Sequence, residues 1–256
     1  MGTTKQKLKN GEVALGGWML IPHPTIAELM AGEGFDWIAV DMEHAPCELH
    51  LIEQIERALR PYACDLLVRL DSINPVLAKH VLDAGARGVI VPSVMTPEDA
   101  RTMCEAVRYP PQGNRGTSLS RATDYGRNFS NYIQTHNSDV FVAVMLEHYL
   151  AAERAVEILN TPGIDAAFIG PYDLSASLGI AGELNNPQVL SAEQRILEAC
   201  QVCSVAPGYH VVPPDRNLID QRIAAGYRFI GCSLDTQLIM HGCRKLVDKN
   251  NEIDAS

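Results

Sequence analysis

The sequence predicts an α/β fold, a single (β/α)8 TIM barrel, from three observations. Short apolar runs alternate with helical patterns along the chain, giving eight strands and eight helices. The strands read as continuous apolar runs, as parallel strands covered on both faces do. Charged residues stand at the carboxyl ends of strands from several parts of the chain, which suits a ring of loops feeding one site. A doubly wound open sheet would give a similar string, but no glycine-rich dinucleotide fingerprint follows the first strand. At 256 residues the chain has a routine length for one barrel, so 1–256 is expected to be one domain.

The elements follow in order. Val13 to Leu20 is the first strand, and Thr25 to Gly34 the first helix, with Ile26, Leu29 and Met30 at helical spacing and Gly34 as its stop. Phe35 to Val40 is the second strand and ends in the polar burst Asp41-Met-Glu-His44. A helix over Glu48–Arg60 halts before Pro61, and Asp65–Arg69 is the third strand. Pro75 opens a helix to Ala84, Gly88–Val91 is a strand ended by Pro92, and Pro97 begins a helix reaching Arg108. From Tyr109 to Asp139 the alternation breaks into a long irregular segment, of the kind that serves as a lid or binding loop. The remainder reads as strand 140–146, helix 149–160, strand 164–169, helix 188–204, strand 207–212, helix 214–225, strand 227–232 and helix 234–247.

A net charge of −10 argues against nucleic acid or an anionic membrane surface as partner and favours a small-molecule ligand. The basic first ten residues lack a following apolar core, so no secretory signal is read, and no apolar run is long enough to span a membrane. The seven cysteines are scattered, which fits reduced thiols and a cytoplasmic location; Cys200-Gln-Val-Cys203 has redox or half-zinc spacing but no second ligand pair.

The candidate site is collected from the strand ends: Asp41, Glu43 and His44 after the second strand, Arg69 at the third, Glu147 after the fifth and Asp173 after the sixth. Glu147 and Asp173 make a hard-oxygen pair suited to Mg²⁺ or Mn²⁺, which acts as a Lewis acid on a carbonyl oxygen. Arg69 is suited to enolate charge or a carboxylate, and His44 to proton transfer near neutral pH. Each has a plainer reading: Glu147 and Asp173 as helix N-caps, Arg69 in a structural ion pair with Asp71 or a neighbouring acid, His44 as a solvated loop residue. His148 reads as the first residue of an exposed helix. Arg115 and Arg121, in the irregular segment, serve equally as carboxylate contacts or as loop-bracing ion pairs.

Five blocks then carry a family resemblance: Val40-Asp-Met-Glu-His-Ala-Pro46, Val68-Arg69, Tyr109-Pro-Pro-Gln-Gly-Asn-Arg-Gly116, Leu146-Glu147 and Gly170-Pro-Tyr-Asp-Leu-Ser-Ala-Ser-Leu-Gly179. Together they resemble the metal-dependent class II pyruvate aldolases, the 2,4-dihydroxyhept-2-ene-1,7-dioate and 2-dehydro-3-deoxyglucarate aldolase type. The resemblance runs in order from about Leu15 to Gly179 and more loosely beyond. It implies a barrel of the phosphoenolpyruvate/pyruvate type, a hexamer with the last helix (234–247) exchanged between subunits, and a divalent cation (Mg²⁺, Mn²⁺ or Co²⁺) on Glu147 and Asp173. It further implies Arg69 as the enolate-stabilising residue, His44 as the catalytic histidine, and Asp41 and Asp83 as supporting acids. Backbone around Gly170, Pro171, Tyr172 and Asp173 would hold the carboxylate of pyruvate. The implied reaction cleaves or forms 4-hydroxy-2-oxo acids from pyruvate and an aldehyde. A related enolate chemistry, citrate formation for siderophore synthesis, is the alternative. Where many members carry Gln, this chain has Met145, and the segment His210-Val-Val-Pro-Pro-Asp215 matches no particular substrate.

Overall fold

A computed structural model describes residues 3–247. Eight parallel strands pair in sequence order, and β1 (Ala14–Met19) pairs with β8 (Phe229–Leu234) to close the barrel. Between them lie β2 (Trp37–Asp41), β3 (Asp65–Arg69), β4 (Gly88–Val91), β5 (Phe141–Met145), β6 (Ala166–Ile169) and β7 (Ala206–Val211). The helices are α1 (Thr4–Lys9), α2 (Pro24–Gly32), α3 (Leu49–Leu59), α4 (Pro75–Asp83), α5 (Pro97–Ala106) and α6 (Phe129–Asp139). They continue as α7 (Tyr149–Glu153), α8 (Ala155–Leu159), α9 (Pro171–Ser177), α10 (Pro187–Cys203), α11 (Arg216–Ala224) and α12 (Asp235–Val247).

Strand alternation divides each strand between two cores. On β2, Ile38 and Val40 pack outward against the helices, while Trp37 and Ala39 fill the bore; on β5, Val142 and Val144 face out and Phe141, Ala143 and Met145 face in. Trp37, Phe141, Phe168 and Phe229 plug the middle of the barrel, with ring centroids 4.4 to 5.5 Å from Phe229. Trp37 fits because its neighbour on β1 is Gly16, where a Cβ would lie 1.9 Å from the indole. The bore is therefore a packed core, and any ligand must bind above it at the carboxyl rim.

Three expectations are corrected. Residues 109–139 are not wholly irregular: a 3-10 turn spans Arg121–Gly126, and α6 supplies the helix before β5. The apolar spacing in α6 is weak, and its stability comes from packing: Arg115 is fully buried between Tyr109 and Tyr132, 2.7 Å from Asp83 and from His136 Nε2. The expected helix 149–160 is two short ones, broken at Arg154 (φ −105°, ψ 13°). The polar turn after β6 is a helical turn, α9, and α1 was not expected at all. Its only local signal is the capping box formed by Thr3 and Gln6. What holds α1 is tertiary: Lys5, buried, donates to the Val140 carbonyl at 2.7 Å and pairs with Asp165 at 3.1 Å beneath the strands.

Burial and the charge of Arg115 lower the pKa of His136 to about 4, against the hydrogen bond to the Val107 carbonyl. The folded state thus holds the ring neutral while the unfolded chain protonates near 6.5. The contribution is complete above pH 6.5 and is lost as pH falls from there toward 4. Denaturant titrations should show it: between pH 7.5 and 4.5 the wild-type protein should lose about 2 to 3 kcal/mol more than His136→Gln. Equal losses would show that the ring titrates normally.

Candidate active site

The inward-facing rows that fill the bore turn polar where they reach the carboxyl rim. Asp41 continues the row of Trp37 and Ala39, Arg69 that of Leu67, Glu147 that of Ala143 and Met145, and Gly170 that of Phe168. Asp41 and Arg69 are register partners across β2 and β3. This alternation brings Asp41, Arg69 and Glu147, all buried, to the mouth of one cleft.

Arg69 is the hub. It reaches Asp41 Oδ2 at 3.3 Å, pairs with Glu43, and stands 3.6 Å from Glu147 Oε2. Its guanidinium carbon is 5.9 Å from the Trp18 ring centroid. Its ion-pair partners are thus neighbouring acids and not Asp71, which accepts from Ser72. Asp41 is fixed on both oxygens, taking Trp18 Nε1–H at 2.8 Å and the backbone N–H groups of Glu43 and His44 at 2.9 Å each. Burial opposes its charge, but Arg69 and these donors outweigh it and hold its carboxyl below the ordinary value. Asp41 thereby sets the loop that carries His44, whose half-exposed ring lies 3.9 Å from Glu43.

Glu147 is not a helix cap. His148 caps α7, and Glu147 Oε1 accepts from the backbone N–H of Ser93 at 2.7 Å. Ser93 sits at φ 54°, a left-handed conformation uncommon for serine, which turns its N–H to the carboxylate. Glu147 Oε2 is buried and makes no hydrogen bond. Burial pushes the Glu147 carboxyl up, with Arg69 and the Ser93 amide pulling it down and Asp173 and Glu43 raising it further. Burial likewise raises that of Glu43. Asp173 lies in the first turn of α9 without a capping bond, because Gly170 holds the N-cap position. Gly170 is required by contact: a Cβ there would lie 2.9 Å from Glu147 Oε2.

Four carboxylates, Asp41, Glu43, Glu147 and Asp173, thus face one guanidinium, and two buried carboxylate oxygens, Glu43 Oε2 and Glu147 Oε2, make no hydrogen bond, the first being ion-paired with Arg69. Among the described residues no group of three or more His, Cys, Asp or Glu side chains could hold a metal ion alone. Glu147 and Asp173 nevertheless fit a hard divalent cation, which commonly takes one or two carboxylates and leaves its other positions to water and substrate.

The cleft has two lobes. The outer, about 470 Å³, includes Glu43, Ser93, Met95 and Glu147. The inner, about 190 Å³, is walled by Trp18, Met145, Phe168 and His210 and reaches Gly170, Pro171 and Tyr172. His44, Arg69 and Asp173 belong to both.

A sequence model of the HpcH/HpaI aldolase/citrate lyase family matches residues 15–242. The chain belongs to this family. A 2-keto-3-deoxy-L-rhamnonate aldolase of Escherichia coli (strain K12) is 36% identical over 236 residues, 91% of this chain and 87% of that protein. A 4-hydroxy-2-oxo-heptane-1,7-dioate aldolase of Salmonella heidelberg (strain SL476) is 35% identical over 244 residues, 94% and 92% of the two chains. Among solved structures, an HpcH/HpaI aldolase/citrate lyase family protein from Burkholderia cenocepacia J2315 superposes with a TM-score of 0.91 at 34% identity, covering 96% of this chain and 97% of that one. The citrate synthase SbnG does so with a TM-score of 0.86 at 26% identity, covering 96% of each.

In this cleft the structure gathers every expected residue except Asp83. That residue ends α4, at the amino-terminal side of the strands, where it accepts from Arg115 at 2.7 Å and Ser118 at 3.1 Å. Arg115 and Arg121 take the bracing role, Arg121 pairing with Glu56. Cys200 is buried and its thiol pushed up to about 12, and all seven cysteines are free. No helix of the described residues is long and apolar enough to cross a membrane. Trp18, Ser93 and His210 were not singled out from sequence as site residues. Inward alternation flags Trp18, above Ala14 and Gly16, and His210, above Gly208; Ser93 had no signal, because nothing in a lone serine announces φ 54°.

Proposed function

We propose that this aldolase cleaves and forms 4-hydroxy-2-oxo acids through a pyruvate enolate, with a divalent cation (Mg²⁺, Mn²⁺ or Co²⁺) on Glu147 and Asp173. The observation that carries the reading is the convergence of these two carboxylates with Arg69 and His44 at one rim, with Glu147 Oε2 left free of hydrogen bonds. When bound, the cation acts as a Lewis acid on the 2-oxo group, the role a lysine Schiff base plays in other aldolases. Residues Gly170 to Asp173 hold the acid's carboxylate in the inner lobe, leaving the aldehyde end in the outer lobe. His44, at the shared edge, takes the proton of the 4-hydroxyl as the C3–C4 bond breaks. Arg69 stabilises the negative charge that develops on the enolate oxygen, and Asp41 holds both Arg69 and the His44 loop in place.

Exchange of pyruvate methyl protons in D₂O, followed by NMR, tests the shared half-reaction without knowledge of the aldehyde. Exchange should appear with Mg²⁺, Mn²⁺ or Co²⁺ and vanish in excess EDTA. Exchange unchanged by EDTA, or absent with every divalent ion, would overturn the enolate reading. The likeness to SbnG favours one alternative, condensation of oxaloacetate with acetyl-CoA. Turnover of that pair exceeding any aldol cleavage would select it.

We also propose a hexamer in which α12 is exchanged between subunits. α12 meets the barrel mainly at its start and leaves Leu238, Ile239, Met240, Leu246 and Val247 exposed. Asp83, at the far end of its own barrel, can support only the cleft of a neighbouring copy. Light scattering should give a hexameric mass, and mixed oligomers of Glu147→Gln and Asp83→Ala should recover activity that neither variant shows alone. A monomeric mass at assay concentration would end this assembly.

A further inference from the structure

His210 takes no part in the chemistry above, yet it stands in the wall of the inner lobe. Its ring stacks on Trp18, with centroids 4.9 Å apart and planes 24° from parallel. The Cγ and Cδ2 flank faces Gly231, where a Cβ would lie 3.0 Å from Cδ2, and Nε2 is 3.2 Å from the Ser233 carbonyl oxygen. That carbonyl is held in place: Ser233 is buried at φ 67°, and its hydroxyl donates to the Val212 carbonyl at 2.8 Å. A ring nitrogen facing a carbonyl carries the proton, so Nδ1 is the bare acceptor of a neutral ring. Burial keeps the ring neutral by lowering its pKa to about 4. The Nδ1 flank is the one turned away from β8, and among the described residues it receives no hydrogen bond.

Beside it the wall holds the apolar side chains Trp18, Phe168, Met145, Val212 and Leu234, and the charged groups of the same lobe, Asp41, Arg69 and Asp173, make no hydrogen bond to it among the described residues. A single acceptor in such a wall loses free energy whenever the ligand against it has no donor. The methyl group of pyruvate has none. We propose that His210 selects, as the nucleophile, a 2-oxo acid bearing a hydroxyl on C3, the hydroxypyruvate class, whose O–H donates to Nδ1. This rests on the reading that Gly170 to Asp173 hold the carboxylate, which keeps C3 of a three-carbon acid within the inner lobe. In the aldol addition C3 loses a proton and bonds to the aldehyde carbon, whose oxygen takes up a proton, giving a 3,4-dihydroxy-2-oxo acid. The reverse breaks the same C3–C4 bond, and neither direction changes the oxidation balance. The Escherichia coli relative is named for a 3-deoxy substrate, which has no group for such an acceptor to meet.

The test compares hydroxypyruvate with pyruvate in the Mn²⁺-loaded full-length protein, reading kcat/KM for C3–H exchange in D₂O. The wild-type protein should favour hydroxypyruvate by about tenfold or more, the size of one hydrogen bond to an otherwise unpaired group. His210→Phe keeps a ring against Trp18 without an acceptor and should lower the hydroxypyruvate-to-pyruvate ratio by about tenfold. His210→Asn, whose amide oxygen takes the place of Nδ1, should restore much of it. A wild-type ratio of one or below overturns the proposal even if no variant folds, as does a ratio that His210→Phe leaves unchanged. Exchange of pyruvate without the hydroxyl preference sinks this inference alone, whereas exchange of neither acid sinks the enolate reading and this inference with it.

Discussion

Glu147→Gln is expected to abolish metal-dependent exchange of pyruvate protons, by about 10³-fold or more, while the barrel remains folded. The change removes the negative charge from the oxygen that has no hydrogen bond of its own and leaves Oε1 able to accept from Ser93. Calorimetric titration with Mn²⁺ should show binding weakened by about 10²-fold. Thermal unfolding without metal should shift by only a few degrees (~2 to 4 °C), because the carboxylate being neutralised is a buried one whose ionisation burial already opposes. Full activity of chelator-treated Glu147→Gln would remove the metal from the mechanism. Asp173→Asn should behave alike, which separates a two-carboxylate site from one centred on Glu147 alone.

Arg69→Ala should separate metal binding from catalysis. Arg69 competes with a cation for the same carboxylates, so its removal should leave Mn²⁺ affinity intact or tighter while exchange falls by about 10³-fold. It also strands Asp41, Glu43 and Glu147 beside one another without their counter-charge. The metal-free variant should lose about 3 to 5 kcal/mol of stability, much of it recovered on adding Mn²⁺. Arg69→Lys should not restore either property, since one ammonium cannot fork toward three carboxylates. Wild-type exchange in Arg69→Ala would remove the guanidinium from the enolate step.

The barrel was legible because period and composition agree: buried parallel strands need apolar residues on both faces, and eight such runs leave few topologies. The rim was legible for the same reason, since a charged residue that ends an inward row has nowhere to point but the mouth. Asp41, Arg69 and Glu147 are read that way. Where the sequence misled, tertiary contacts had overridden local pattern. α6 carries little apolar periodicity and is held by Arg115, which no spacing marks as buried. α1 is not legible in the sequence because a six-residue helix cannot persist by itself and depends on Lys5 reaching Asp165, 160 residues away. Glu43 has no role legible in the sequence, because whether a loop carboxylate turns toward Arg69 depends on the backbone that Asp41 fixes. Asp83 shows the opposite limit: it ends a helix at the far side of its own barrel, away from the rim, and there it braces Arg115 and Ser118.

The seam of the barrel bears on how the chain is made. β1 finds its second neighbour only in β8, and Asp235, at the start of α12, binds the N–H groups of Leu20 and Ile21 at 3.1 and 2.8 Å across more than 200 residues. A chain emerging from the ribosome therefore carries β1 as an open edge until residue 235 has been synthesised, and contacts this distant in sequence form slowly. The inner lobe, walled by Trp18 from β1, His210 from β7 and Leu234 from β8, is built at that seam. The inner lobe is thus among the last features to form in biosynthesis, and a truncated product would expose an apolar strand edge.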